Sequence, residues 1–194
     1  TDGQGLIQLY HYDSLFETIH TSHPVRCFCE DEDGNILIGT KGSGIKLLNP
    51  ATKELTDYLN ESKGLISNSV YALRRNKAND IFIGTEGNGI NILNVATGRL
   101  EKLEIPDKYP PFKAVYNIYF TNNDSLLWVG TSGYGLIKIN ISREQGRYHV
   151  KGFRQYNSSD KNISLNNDVV YAITSDPEDN MLWFGTRGGG LNCI

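Results

Sequence analysis

The sequence predicts an all-β fold, a β-propeller segment of about four four-stranded antiparallel blades, and three observations carry that prediction. A glycine-rich stretch recurs four times without gaps: ILIGTKGSGIKLLN at 36–49, IFIGTEGNGINILN at 81–94, LWVGTSGYGLIKIN at 127–140 and LWFGTRGGGLNCI at 182–194. A second segment precedes each copy, reading VRCFCED from Val25, VYALRRN from Val70, VYNIYFT from Val115 and VYAITSD from Val170. No convincing amphipathic helix of ten or more residues interrupts them.

The repeat has a rigid part and a variable part. Each valine precedes the threonine of its own glycine stretch by 15, 15, 16 and 16 residues, whereas successive threonines lie 39, 45, 46 and 55 apart. One unit is therefore fixed, and the variation falls in a connecting loop. The chain opens on a fifth, partial copy, TDGQGLIQL at 1–9, so GTxGxG-type turns are expected near 1–5, 39–44, 84–89, 130–135 and 185–190. On this reading residues 1–194 form one partial propeller, an open segment in preference to a closed four-bladed ring.

The second unit shows the strands. Val70–Arg74 is a short β-branched and aromatic run, and a turn at Asn76–Asp80 leads into Ile81–Gly84. The glycine stretch follows, then Ile90–Leu93, then a fourth strand near Arg99–Leu103. Turn chemistry recurs after each first strand, as DEDGN, NKAND, NNDS and DPEDN. The second strands (ILIGT, IFIGT, LWVGT, LWFGT) are apolar without alternation. That pattern marks burial on both faces, as between two neighbouring blades. Trp128 and Trp183 are assigned to this packing, as are Tyr71, Tyr116 and Tyr171 at the recurrent position after valine. In the third unit LIKIN exchanges the apolar and charged positions of IKLLN and INILN, which unsettles its turn register.

Strand-to-strand placement decides what the glycines do. A dinucleotide fingerprint leaves a strand and enters a helix, and a P-loop ends in Gly-Lys-Ser/Thr. Here GTxGxG runs from strand to strand four times and lacks that lysine. The glycines are expected to serve left-handed backbone or close approach of neighbouring chains at a turn.

Composition narrows the function. Lys and Arg number 19 against 22 Asp and Glu, without blocks of either sign, so nothing marks nucleic acid as a partner. Cys27, Cys29 and Cys193 are an odd set and read as small buried hydrophobes. His11, His20, His23 and His149 have no paired metal spacing, and the acidic run at 30–35 lacks the full calcium-loop pattern. No catalytic residue, metal or cofactor is assigned.

What remains is the loops that connect the units, where a rigid scaffold normally carries its function. They are TIHTSHP at 18–24, NESKGLISNS at 60–69, IPDKYPPFK at 105–113 and YNSSDKNISLNND at 156–168. Tyr109 and Phe112, beside two prolines, are expected to form a stiff stacking surface for a sugar ring. Lys41, Glu86, Tyr134 and Arg187 occupy variable positions of the glycine turns. Tyr134 and Arg187 join the candidate site, Arg187 as a partner for carboxylate or sulfate.

The pattern from Val170 to Leu191, VYAI followed by DNMLWFGTRGGGL, closely resembles the two-component regulator propeller repeat. Phe82 and Leu37 stand where that repeat usually has Trp. Such repeats occur in tandem in extracytoplasmic sensors of bacterial hybrid histidine kinase/response regulators. The resemblance implies part of a seven-bladed periplasmic propeller that senses an oligosaccharide and signals to a histidine kinase. It implies as partners the remaining blades, downstream sensor domains and a second copy in a homodimer. A non-catalytic scaffold or protein-interaction role is the alternative, and a propeller enzyme would need acid and base residues converging on the axis.

Overall fold

The computed structural model describes residues 6–10, 15–87, 89–160, 165–176 and 181–194. Turn copies at 1–5, Asn88 within the second glycine stretch, His11 and most of DPEDN lie outside them. Two strands, β1 (Leu6–Tyr10) and β2 (Leu15–Ile19), pair antiparallel as a separate sheet. The first full repeat folds as β3 (Val25–Glu30), β4 (Ile36–Thr40), β5 (Ile45–Leu48) and β6 (Leu55–Leu59), antiparallel and in sequence order. The second gives β7 (Val70–Arg75), β8 (Ile81–Thr85), β9 (Ile90–Asn94) and β10 (Arg99–Lys102), within a residue or so of the expected bounds. The third gives β11 (Val115–Thr121), β12 (Leu126–Thr131), β13 (Leu136–Glu144) and β14 (Arg147–Tyr156). The fourth has three strands, β15 (Val170–Asp176), β16 (Met181–Thr186) and β17 (Gly190–Cys193). Among the described residues no strand pair joins β17 to β1 or β2, so pairing does not close a four-bladed ring.

The two repeat signatures meet across each blade interface. The first strands β3, β7, β11 and β15 lie side by side, and β7, β11 and β15 each also touch the second strand of the blade before. There the repeat valine packs flat on the first glycine of GTxGxG. A Cβ on Gly39 would stand 2.8 Å from Val70 Cγ1, and one on Gly84 would stand 2.5 Å from Val115 Cγ1. Gly130 is matched in the same way with Val170. Around these contacts lie three apolar clusters, one per interface, holding Leu37, Ile81 and Ile83, then Phe82, Ile118 and Leu127, then Trp128, Ile173 and Phe184. All five residues of β8 are buried, as a strand between two blades requires.

The third unit keeps its register. Gly130 faces Leu136 as Gly39 faces Ile45 and Gly84 faces Ile90, so the exchanged LIKIN pattern does not shift the turn. The exchange has another cause. Trp128 pairs with Lys138, whose Nζ lies 5.3 Å from the indole centre, and the cation rests on the ring face. Trp128 itself is buried, and its Nε1 donates to Thr121 Oγ1 at 3.0 Å.

One hairpin outgrows its blade. After a bulge between Asn140 and Ile141, β13 and β14 run on to a tight turn at Gln145 and Gly146, both left-handed. The extension reaches under the second blade. Tyr148 donates to Asp80 Oδ2 at 2.7 Å, Arg143 lies 3.2 Å from the same oxygen, and Asn94 donates to Asp80 Oδ1 at 2.7 Å. Asp80 is 2% exposed and Asn76 donates to the Tyr148 hydroxyl, so a buried carboxylate ties two blades together.

Burial pushes the Cys27 thiol well above its ordinary value of 9.0, and burial together with Asp80 pushes the Tyr148 phenol up from 10.0. In both cases the folded chain retains a proton that the unfolded chain releases. The resulting stability is complete below pH about 9 and is lost as pH rises further. The urea midpoint is expected to fall between pH 8 and pH 10.5, and a flat profile would contradict this. Iodoacetamide should label exposed Cys193 first and Cys27 last, since only an accessible thiolate reacts.

Candidate functional site

In each unit the glycine turn and the loop entering a blade are stitched together on one face. The buried threonine is the clasp: Thr40 Oγ1 donates to Gly44 O at 2.9 Å and Thr131 Oγ1 to Gly135 O at 2.7 Å. Gly44 and Gly135 take left-handed φ of 70° and 75°, and their N–H groups donate to Asn68 O and Asp168 O of the following blade's entry. A Cβ on Gly44 would also strike Leu59 O at 2.1 Å, so both conformation and space demand glycine. The residue after the threonine bonds the entry of its own blade, as Glu86 N to Ser69 O and Arg187 N to Val169 O. The turns and the variable loops therefore form a single loop face.

On that face a cleft of about 360 Å³ opens beside the 105–113 loop, lined by Gly89, Lys102, Glu104, Asp107, Tyr109 and Phe112 among others. Tyr109 is half-buried, its ring stacked on Phe153 at 4.9 Å and 19°, with Lys108 Nζ 5.0 Å from its centre. Phe112 has a different place from the platform expected of it. It is 3% exposed and packs in the core 6.3 Å from Phe153, because an apolar ring beside apolar neighbours buries its faces. It lines the cleft from behind and buttresses the Tyr109 stack.

Tyr134 is half-buried against the same apolar cluster, and its carbonyl accepts from Gln155 Nε2 at 2.8 Å. Arg187 stands apart: it is exposed on the fourth blade and does not line the cleft. Lys102, Glu104 and Asp107 bring both signs of charge to the cleft, and no sequence motif marks them. Lys102 is on the fourth strand and the other two lie in the connecting loop, where a single sequence gives no directional signal.

The other motifs resolve as structure. In the acidic run Asp31 Oδ1 accepts from Asp33 N at 3.0 Å and Asn35 N at 2.8 Å, closing the first turn of its blade on itself. Asn76 Oδ1 does the same for Ala78 N and Asp80 N in the next unit. Among the described residues no three or more His, Cys, Asp or Glu side chains gather as metal ligands do. No described helix is long and apolar enough to cross a membrane.

Comparison with known proteins agrees with this architecture. Residues 20–42 match the family model described as two component regulator propeller. No curated protein matches the chain. Among solved structures, the extracellular domain of a protein described as a one component system of B. thetaiotaomicron is 22% identical over 100% of this chain and 30% of its own, with a TM-score of 0.62. The extracellular domain of a protein described as a hybrid two component system of the same organism is 18% identical, over 98% of this chain and 37% of its own, with a TM-score of 0.55. Virginiamycin B lyase from Staphylococcus aureus shares the fold at 17% identity and a TM-score of 0.62, covering 95% of this chain and 60% of its own. The chain thus spans less than two fifths of the two extracellular domains, and identities this low speak for fold alone. The matched repeat at 20–42 is the first of four successive V…GTxGxG units, and together they fold as a β-propeller segment.

Proposed function

We propose that this segment belongs to the extracytoplasmic, periplasmic sensor propeller of a hybrid two-component system. It contributes to recognition of an oligosaccharide, and the bound state is passed to a histidine kinase. The observation that carries the reading is the cleft beside the 105–113 loop, where an aromatic wall stands next to three charged side chains on the loop face. Such a combination suits a ligand with apolar ring faces and many hydroxyl groups. Tyr109 supplies the ring, Lys102, Glu104 and Asp107 supply polar contacts, and Tyr134 and Arg187 extend the face to neighbouring blades. Further blades complete the ring, seven in all by the family pattern, and a homodimer provides the unit through which binding is read. Signalling then requires that the ligand favour one arrangement of the assembly over another.

Calorimetric titration of the intact protein with neutral and acidic oligosaccharides tests this. Saturable binding of one glycan class is expected, with affinity about tenfold weaker in Tyr109→Ala, equivalent to about 1.4 kcal/mol. A folded protein that binds no glycan would instead point to a scaffold role.

A further inference from the structure

The tyrosines that follow three of the four repeat valines have a role beyond packing between blades. Pairing between the first and second strands shifts register between Val25 and Cys27, Val70 and Ala72, Val115 and Asn117, and Val170 and Ala172. Arg26, Tyr71, Tyr116 and Tyr171 are therefore the extra residues of four successive β-bulges. A bulge re-aims its side chain, here out of the blade-to-blade contact and onto the concave wall built by β3, β7, β11 and β15.

On that wall the rings form a row. Tyr71 and Tyr116 meet edge to face at 5.0 Å and 85°, and Tyr116 and Tyr171 lie 5.3 Å apart at 31°. Tyr171, on the last blade of this chain, is 50% exposed. They border a hollow of about 300 Å³ that Arg26, Arg74 and Tyr119 also line, with no carboxylate among the lining residues. The Arg74 guanidinium is 5.1 Å from the Tyr119 ring centre, which orients it.

We infer that this wall is a second binding site, separate from the loop cleft, for an anionic saccharide. Its sugar ring rests on Tyr116 and Tyr171, and its carboxylate or sulfate is held by Arg74. Tilted and edge-on rings offer no parallel slot for a flat arene. They do present single faces and phenolic hydroxyls, which suit a puckered, hydroxylated ring. The inference rests on the sensor reading only in choosing a saccharide, and it needs no binding at Tyr109.

The test is titration of the intact protein with a galacturonate trimer, a sulfated disaccharide and a neutral glucose trimer as control. Binding of an acidic probe is expected to weaken as salt rises. It should fall tenfold or more in Arg74→Gln and in Tyr116→Ala, stay within about twofold in Tyr116→Phe, and be unchanged in Lys151→Gln, an exposed position on the long hairpin away from both sites. Circular dichroism shows that each variant is folded. Absence of acidic-probe binding by the folded protein overturns the inference, as does binding that survives both Arg74→Gln and Tyr116→Ala. So does binding that Tyr109→Ala abolishes, an outcome that leaves the loop-cleft reading standing.

Discussion

Gly84→Ala is expected to destabilise the protein by about 1–3 kcal/mol or more, the range of overpacked cores. The added methyl would stand 2.5 Å from Val115 Cγ1 and 2.9 Å from both Val115 Cβ and the Val115 carbonyl oxygen. The flexible end of a side chain could rotate away, but the β-carbon and the carbonyl belong to a strand paired on its other edge. The two blades must therefore separate slightly, and the buried cluster between them loses contact. Gly130→Ala, the same repeat position one blade on, would meet the Val170 carbonyl oxygen at 2.7 Å and should cost a similar amount. A Gly84→Ala protein with the wild-type denaturation midpoint would show that the joint between blades gives way without cost. Trimming the partner in Gly84→Ala/Val115→Ala should restore only part of the loss, since two of the three close contacts remain.

Asp80→Ala should cost about 3 kcal/mol, near the value for breaking a buried charged network by removing one member. Three donors converge on this carboxylate, from Tyr148, Arg143 and Asn94, and its removal leaves the Tyr148 hydroxyl and the Asn94 amide without their acceptor. Arg143 contributes least to the loss, because its side chain is 39% exposed and water can replace its partner. Tyr148→Phe keeps the ring against Phe82, 5.0 Å away, and gives up only the hydroxyl, so a smaller loss of about 1 kcal/mol is expected. Thermal denaturation should rank the proteins as wild type, Tyr148→Phe and Asp80→Ala in falling order. Asp80→Ala matching wild type would mean that the long hairpin is held by its apolar contacts alone.

The difference between these two predictions tracks what the sequence discloses. The valine and the glycine recur at a fixed spacing, so periodicity alone exposes both. What periodicity leaves out is that they meet in neighbouring units, Val70 with Gly39 and not with Gly84. The Asp80 network occurs once, joins residues as far apart as Asp80 and Tyr148, and carries no repeat to betray it. Its one local sign is the Gln145–Gly146 turn, which marks a hairpin without saying where the hairpin reaches. At the candidate site, the turn chemistry around Pro110 and Pro111 shows a stiff loop, and Tyr109 lines the cleft within it. The side on which Phe112 falls depends on Phe153, brought in by a strand of the next blade. Aromatic residues in a loop are equally able to support a site or to face it, and only the neighbouring blade decides. The bulge tyrosines illustrate the same limit, because one extra residue in the strand moves a side chain from the blade interface to the hollow beside the first strands.

The valine-on-glycine contact also sets how the molecule comes apart. Since each blade lends one residue to its neighbour's surface, the free energy resides as much in the joints as in the units, as in a linear lattice with nearest-neighbour coupling. The joints of β4 with β7, β8 with β11 and β12 with β15 are shared supports, so loosening one blade weakens the blade beside it. All five residues of β8 are buried between two blades, and its amide hydrogens should exchange slowly. Gly84→Ala should speed exchange in β11 as well as in β8, a loss carried across the joint and not kept within one sheet.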